Sequence, residues 1–348
     1  MFVVALVAIA AAVVVGAPLA YRAARKHRRA LEARIDTPDA VVEGRYVTIG
    51  GTQQWLQIRG EDRANPVLLV VHGGPGSPYS VFTPVLREWE KHFTVVHWDR
   101  RGAGRTLRRN GWPPAEELTF ERMAEDGIEV AEYLRRHLRK DKLILMAGSM
   151  GTIVGLPMAQ RRPDLFSAYV GTDFYVDMVA NERQSRLATL ARLRAAGNHK
   201  GVAALETLDE DPRTWDVAAW GRRMQWTMAT DPTTPNGVFK LLFPLLLTKP
   251  DYSLLDVMAW LKGFGKVRDA MFEQFIRFDA RVLGSRFEIP FHLFQGAQDV
   301  VTLTGPAVSY FDEVEAPHKS LVLIEGASHF AAFTQPQRFL AALRAVAA

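Results

Sequence analysis

From Lys142 to Thr152 the chain reads Lys-Leu-Ile-Leu-Met-Ala-Gly-Ser-Met-Gly-Thr, and no other stretch restricts the fold as much. The apolar run Leu143 to Ala147, entered from a charged patch, predicts a strand buried on both faces in a parallel sheet. Gly148-Ser149-Met150-Gly151 ends it abruptly, and Thr152 to Arg161 suits a helix. A serine at the apex of a strand, tight turn and helix is held in strained backbone with its hydroxyl presented outward. Its neighbours must be small because strand and helix pass close together. A serine in a glycine-rich turn is equally consistent with a plain turn, so the chemistry depends on what the rest of the chain supplies.

The body repeats the strand–helix alternation. Tyr46 to Ile49 and Gln53 to Arg59, joined by Gly50-Gly51, predict an antiparallel hairpin. Val67 to Val71 and Phe93 to Trp98 predict two buried strands, and Glu121 to Arg139 has apolar residues at helical spacing. Ala168 to Gly171 predicts a further short strand. From Phe174 to about Arg286 the alternation stops and the pattern turns helical. It resumes at Pro290 to Phe294 and Lys319 to Ile324, and a helix from Pro336 to Ala347 closes the chain. The alternation predicts a mostly parallel sheet with helices on both faces and an inserted helical cap, and with the serine elbow the expected class is the α/β-hydrolase fold. The expected divisions are 1–28 (membrane anchor and basic flank), 29–40 (linker), 41–172 (first part of the core), 173–287 (cap) and 288–348 (second part of the core).

The N-terminus carries a separate signal. Phe2 to Ala20 is apolar with only Gly16 and Pro18 as breakers, about the length that crosses a bilayer as a helix. Arg22, Arg25, Lys26, Arg28 and Arg29 come directly after it, and no basic residue precedes it. That asymmetry predicts an uncleaved single-pass N-terminal transmembrane helix with the catalytic body on the cytoplasmic side, and hence the membrane as a partner. Much of the formal +5 charge sits in this flank, so nucleic-acid binding is not needed to explain it. The chain contains no cysteine, which excludes disulfides and thiol catalysis.

The remaining chemistry lies on the edge of the sheet that carries Ser149. Asp299 and His329 each come after a strand, in Gln295-Gly296-Ala297-Gln298-Asp299 and Glu325-Gly326-Ala327-Ser328-His329, so both fall in loops at strand C-terminal ends. A serine nucleophile needs a base to take its proton and return it to the leaving group. That base needs a carboxylate to fix its tautomer and stabilise its cation. Ser149, Asp299 and His329 therefore form the expected catalytic set. His72-Gly73-Gly74-Pro75-Gly76, after another strand, reads either as a loop or as a source of backbone N–H donors for an oxyanion. Gly74 is the expected donor, with Gly73 as the alternative, joined by Met150. No cluster has metal-ligand spacing, and the reaction needs no metal or cofactor.

Three motifs together resemble the proline iminopeptidase (prolyl aminopeptidase) family of capped α/β-hydrolases. They are His72-Gly73-Gly74-Pro75-Gly76-Ser77-Pro78, Trp98-Asp99-Arg100-Arg101-Gly102-Ala103-Gly104-Arg105-Thr106 and Ala147-Gly148-Ser149-Met150-Gly151-Thr152. The resemblance covers most of 41–172 and 288–348. It implies a serine peptidase that removes an N-terminal residue, often proline, with Ser149, Asp299 and His329 as its triad. Arg100 stands where the family usually has Gln, Ala147 where it has Gly, and Met150 where it often has Trp. The family also implies cap glutamates that pair with the substrate ammonium. Glu182 is the candidate here, with Asp177 and Asp173 behind it, and solvated helix charges are the competing reading.

The expected function is an aminopeptidase releasing N-terminal residues from short peptides through an acyl-enzyme. A carboxylesterase or lipase acting on small or lipid-like esters is the alternative. An Asp-nucleophile epoxide hydrolase conflicts with the serine at the elbow, and a silent binding protein conflicts with the filled catalytic positions. The apolar run Val238 to Leu247 reads first as packing surface; an acyl pocket or a bilayer-facing patch are the other readings.

Overall fold

The computed structural model describes residues 16–347. Eight strands form one sheet: β1 (Val41–Ile49), β2 (Thr52–Gly60), β3 (Val67–Val71), β4 (Thr94–Asp99), β5 (Leu143–Gly148), β6 (Phe166–Thr172), β7 (Phe291–Gly296) and β8 (Lys319–Ile324). Their order is β1-β2-β4-β3-β5-β6-β7-β8. The β1–β2 hairpin turns at Gly50 and Gly51, both at positive φ, and β2 meets β4 antiparallel. Every other pairing is parallel.

The central strands are apolar at every position because both faces are covered. In β3 and β5, Leu69, Val71, Leu145 and Ala147 point into one core, while Leu68, Val70, Ile144 and Met146 point into the other. The first core takes in helices α3 (Phe120–Leu138) and α4 (Gly151–Arg161); the second takes in α12 (Pro336–Val346). Thr119 caps α3 by accepting from the Arg122 N–H, a contact of about 1 kcal/mol. Gly151 is required where α4 leaves β5, since a Cβ there would collide with the Val71 carbonyl oxygen.

Helix α2 (Gly104–Asn110) comes after β4, and α5 (Met178–Ala195), α6 (His199–Glu206), α7 (Val217–Ala229), α8 (Gly237–Thr248) and α9 (Leu254–Ile276) fall between β6 and β7. Two short helices, α10 (Thr304–Glu313) and α11 (Ala331–Thr334), flank β8. The segment between β6 and β7 stays helical because the connection never returns to the sheet. Asp177, Asn198, Asp216 and Ser253 each open one of its helices by accepting from a backbone N–H.

The N-terminal expectation requires correction. Residues 2–15 of the expected anchor lie outside the described residues, and no helix among the described residues is long and apolar enough to cross a membrane. The basic flank lies on α1 (Ala17–Glu32), and the helical insert engages its side chains. Arg22 donates to the carbonyls of Leu247 and Tyr252 at 2.8 and 3.0 Å, Lys26 to Tyr252 at 2.6 Å, and Arg29 to Pro244 at 3.0 Å. The cationic flank that suggested a membrane boundary instead satisfies carbonyls around the C-terminus of α8, where the helix leaves acceptors open. The single-pass anchor, the membrane partner and the cytoplasmic placement inferred from them are therefore not supported.

Candidate active site

Four sheet-edge loops bring the expected residues together. Ser149 sits between β5 and α4 at φ +54°, a left-handed conformation that costs a non-glycine residue about 1–3 kcal/mol. The surrounding contacts hold it there. Its N–H donates to the Thr172 carbonyl at 3.1 Å, and its own carbonyl accepts from the N–H and hydroxyl of Thr152 at 2.9 and 2.7 Å. Ser149 Oγ lies 3.2 Å from His329 Nε2, and His329 Nδ1 lies 3.0 Å from Asp299 Oδ2.

Asp299 is fixed more fully than its spacing indicated. Oδ1 accepts from the N–H groups of Val301 and Thr302 at 2.8 and 2.9 Å. Oδ2 accepts from the Thr302 hydroxyl at 2.6 Å and from Gln295 Nε2 at 3.1 Å. Gln295, at the end of β7, also accepts from the Phe174 N–H at 2.9 Å, which ties the loop after β6 to the loop after β7. A second acid stands on the loop after β6. Asp173, buried and at φ +49°, has Oδ1 4.0 Å from His329 Nδ1 and accepts from the Phe330 N–H, while its Oδ2 has no hydrogen-bond partner. Burial raises its pKa to about 6, opposed by His329 and reinforced by Asp299. For His329 burial works downward, but Asp299 and then Asp173 outweigh it and leave the imidazole above its ordinary value.

The motif from Trp98 to Thr106 is scaffolding for these loops. Asp99 accepts from the Arg105 N–H at 2.8 Å, closing the turn into α2. Arg101 holds Asp126 of α3 at 2.5 Å and the Gly50 carbonyl at 2.6 Å. Arg100, wholly buried, donates to the carbonyls of His72 at 2.5 Å and Pro75 at 3.2 Å. These two bonds pin the glycine loop at both ends. Gly73 comes so close that a Cβ would lie 2.7 Å from Ser149 Cβ, and Gly74 adopts φ +54°. Among the described residues, neither the Gly74 nor the Met150 N–H donates to another protein group.

Glu182 is engaged within the helical insert and does not line the cavity over Ser149. It is fully buried on α5 with its carboxylate on the Arg223 guanidinium of α7, and Asn181 Nδ2 lies 3.3 Å from its other oxygen. Its neighbours stitch α5 to the Asp299 loop: Asn181 Nδ2 donates to the Val301 carbonyl and Ser185 Oγ to the Val300 carbonyl, both at 2.9 Å. Asp177 is occupied in capping α5.

Over Ser149 opens an apolar cavity of about 160 Å³, lined by Trp220, Met228, Leu242, Trp260 and Phe264 among others. Within the run Val238 to Leu247, Leu242, Leu245 and Leu246 are buried, whereas Phe239, Phe243 and Leu247 stay exposed. Phe239, Leu242 and Phe243 belong to the cavity wall. Apart from His329, the one charged side chain lining the cavity among the described residues is Arg268, paired with Asp269 at 2.7 Å. Asp231, also missed from spacing, lines a small adjoining recess with His329 and Phe330. Its Oδ1 accepts from the N–H groups of Thr233 and Thr234.

The alpha/beta hydrolase fold family model matches residues 66–336, most of the chain. The chain belongs to the α/β-hydrolase family. This hydrolase is 28% identical over 303 residues to the "Probable aminopeptidase YbaC" of Bacillus subtilis, covering 84% of this chain and 92% of that one. Two solved structures share its fold at a TM-score of 0.62 and 17% identity. The proline iminopeptidase of Mycobacterium smegmatis covers 87% of this chain and 97% of its own; a membrane phospholipase A, described as a bacterial virulence factor, covers 99% and 96%. The resemblance to proline iminopeptidases thus holds for this hydrolase, while the fold alone accommodates peptidase and lipase equally.

Proposed function

We propose that this hydrolase is a serine acyl hydrolase with Ser149, His329 and Asp299 as its triad, acting on substrates whose acyl side carries no charge. His329 Nε2 takes the Ser149 proton as Oγ bonds to the carbonyl carbon. Gly74 and Met150 N–H groups receive the oxyanion, with Gly73 as a further donor, and Arg100 holds the glycine loop in place. The tetrahedral adduct collapses, the bond to the leaving group breaks, and the leaving group carries away the proton held by His329. Water then repeats the sequence on the acyl-enzyme, its proton passing to His329 and on to Ser149 Oγ, and the carboxylic acid departs. Asp299 keeps Nδ1 protonated throughout. Residues 173–287 serve as the cap that walls the acyl side, between core segments 41–172 and 288–348, with 29–40 as linker.

The observation that carries the uncharged acyl side is the charge inventory of the cavity. Among the described residues no carboxylate lines the cavity, Arg268 is paired with Asp269 and Glu182 with Arg223, so a free ammonium placed there would find no counter-ion. An aminopeptidase remains the second reading, supported by the name of the Bacillus relative. In that reading the ammonium falls to Asp231 rather than Glu182, since Asp231 shares a recess with His329.

A substrate panel decides between them: a free-amine prolyl arylamide, its N-blocked twin and a p-nitrophenyl ester, each with a Ser149→Ala control. Ester cleavage that disappears in Ser149→Ala is expected. Cleavage of the free-amine arylamide alone, lost in Asp231→Asn, would replace the proposal with the aminopeptidase.

A further inference from the structure

The cavity is small as well as apolar. Its volume of about 160 Å³ matches the ~150 Å³ of an apolar cavity that takes up a single benzene, and falls short of the roughly 300–1,000 Å³ of sites that enclose drug-sized ligands. It opens directly on Ser149 and Met150, so a carbonyl seated at the serine sends one substituent into it. Trp220, Leu242 and Trp260 wall it while themselves buried. Phe239, Phe243, Leu261 and Phe264 rim it and are exposed, 38–49% of their surface meeting solvent. The substituent that must stay put through both half-reactions is the acyl group, whereas the alcohol has to leave after the first. A closed end therefore suits the acyl chain and an open rim suits the exit.

We infer that the cavity is an acyl-length gauge for a short, unbranched or single-ring acyl group of about six carbons; this rests on the serine-hydrolase reading. Met228 and Leu242 set its limit. Met228 stands between this cavity and the recess beside Asp231, lining both together with Phe82, His329 and Phe330, and of these four it is the unbranched aliphatic side chain. An unbranched thioether with three rotatable bonds adapts to the end of the chain, so the limit it sets is graded over a carbon or two rather than abrupt. Longer chains have to pass the rim into solvent and gain little.

Each methylene that enters the cavity adds about fourfold to kcat/KM, until it fills. The test is a p-nitrophenyl ester series from acetyl to palmitoyl on the full chain, beside an alcohol series at fixed hexanoyl. A small fluorophosphonate reports separately on Ser149. The expected profile rises by about two orders of magnitude from acetyl to hexanoyl, falls beyond octanoyl, and shows at most tenfold dependence on the alcohol. Met228→Ala joins the two recesses and moves the optimum up by two to four carbons; Leu242→Trp moves it down. The inference is overturned by a flat profile, by a palmitoyl optimum, or by an optimum that neither variant shifts. Labelling of Ser149 without hydrolysis of any ester from butyryl to octanoyl also overturns it, while leaving the hydrolase reading intact. Absence of both labelling and hydrolysis overturns the two together.

Discussion

Removing Arg223 while leaving Glu182 is the sharpest test of how the helical insert is held. Both side chains are wholly buried, and besides Arg223 the carboxylate has Asn181 Nδ2 at 3.3 Å. Burial pushes the Glu182 pKa up and Arg223 pulls it back, so in Arg223→Met the acid either stays charged without a counter-ion or takes up a proton. Breaking one half of a buried pair costs about 3–5 kcal/mol, whereas replacing both halves with apolar residues is often neutral or favourable. At roughly 2–4 °C per kcal/mol, Arg223→Met is expected to lower Tm by about 6–20 °C, and Glu182→Leu combined with Arg223→Met to restore most of the loss. Calorimetry on the unmodified protein, Arg223→Met, Glu182→Leu and the double variant gives the coupling directly. Because Asn181 and Ser185 tie the same helix to the Asp299 loop, kcat should fall in the single variant and recover in the double. A cost under about 1 kcal/mol for Arg223→Met, or a double variant that loses the sum of the singles, would refute the pair as the clamp between α5 and α7. So would a Glu182→Gln variant that keeps its Tm and raises KM only for free-amine substrates, the signature of an ammonium receptor.

Three further outcomes are expected. His329 must be neutral to accept the Ser149 proton, and its pKa is raised by Asp299 and Asp173. The rising limb of a kcat/KM–pH profile should therefore lie above the ordinary histidine value of ~6.5 and move down in Asp173→Asn. By the same sign, the stability contributed by charged His329 is complete below its unfolded pKa and is lost as pH rises through the folded one; a denaturation series across that window measures it. Arg100→Ala should lower kcat by about 10²–10³ with little change in KM, as expected for loss of a positioned oxyanion donor, and Arg100→Gln should recover part of it by supplying one amide donor. Gly151→Ala should destabilise by about 1–3 kcal/mol in chemical denaturation, because its Cβ would be driven into the Val71 carbonyl.

A specific part of this protein was legible in its sequence. The strand–turn–helix around Ser149, the apolar double-faced strands, the Gly50-Gly51 hairpin turn and the sheet-edge positions of Asp299 and His329 are local matters. Periodicity, turn chemistry and order along the chain decide them, and each is written within a few residues. What the spacing missed was decided over long distances. Glu182 and Asp173 read either as acids for a substrate ammonium or as solvated helix charges, yet Glu182 meets Arg223 41 positions away and Asp173 comes to stand 4.0 Å from His329. Thr302 and Gln295 carry no motif, but they close the shell around Asp299. The N-terminal reading failed for a related reason. Hydropathy and flanking charge describe a segment in isolation, and they cannot register that Arg22 and Lys26 find carbonyl partners more than 220 residues downstream. Secondary structure and catalytic order come from neighbours in the chain, so the sequence alone determined them. Charge pairing and cavity shape come from which distant surfaces are pressed together, so only the tertiary structure decided that the space above Ser149 is small and apolar and that, among the described residues, no carboxylate lines it.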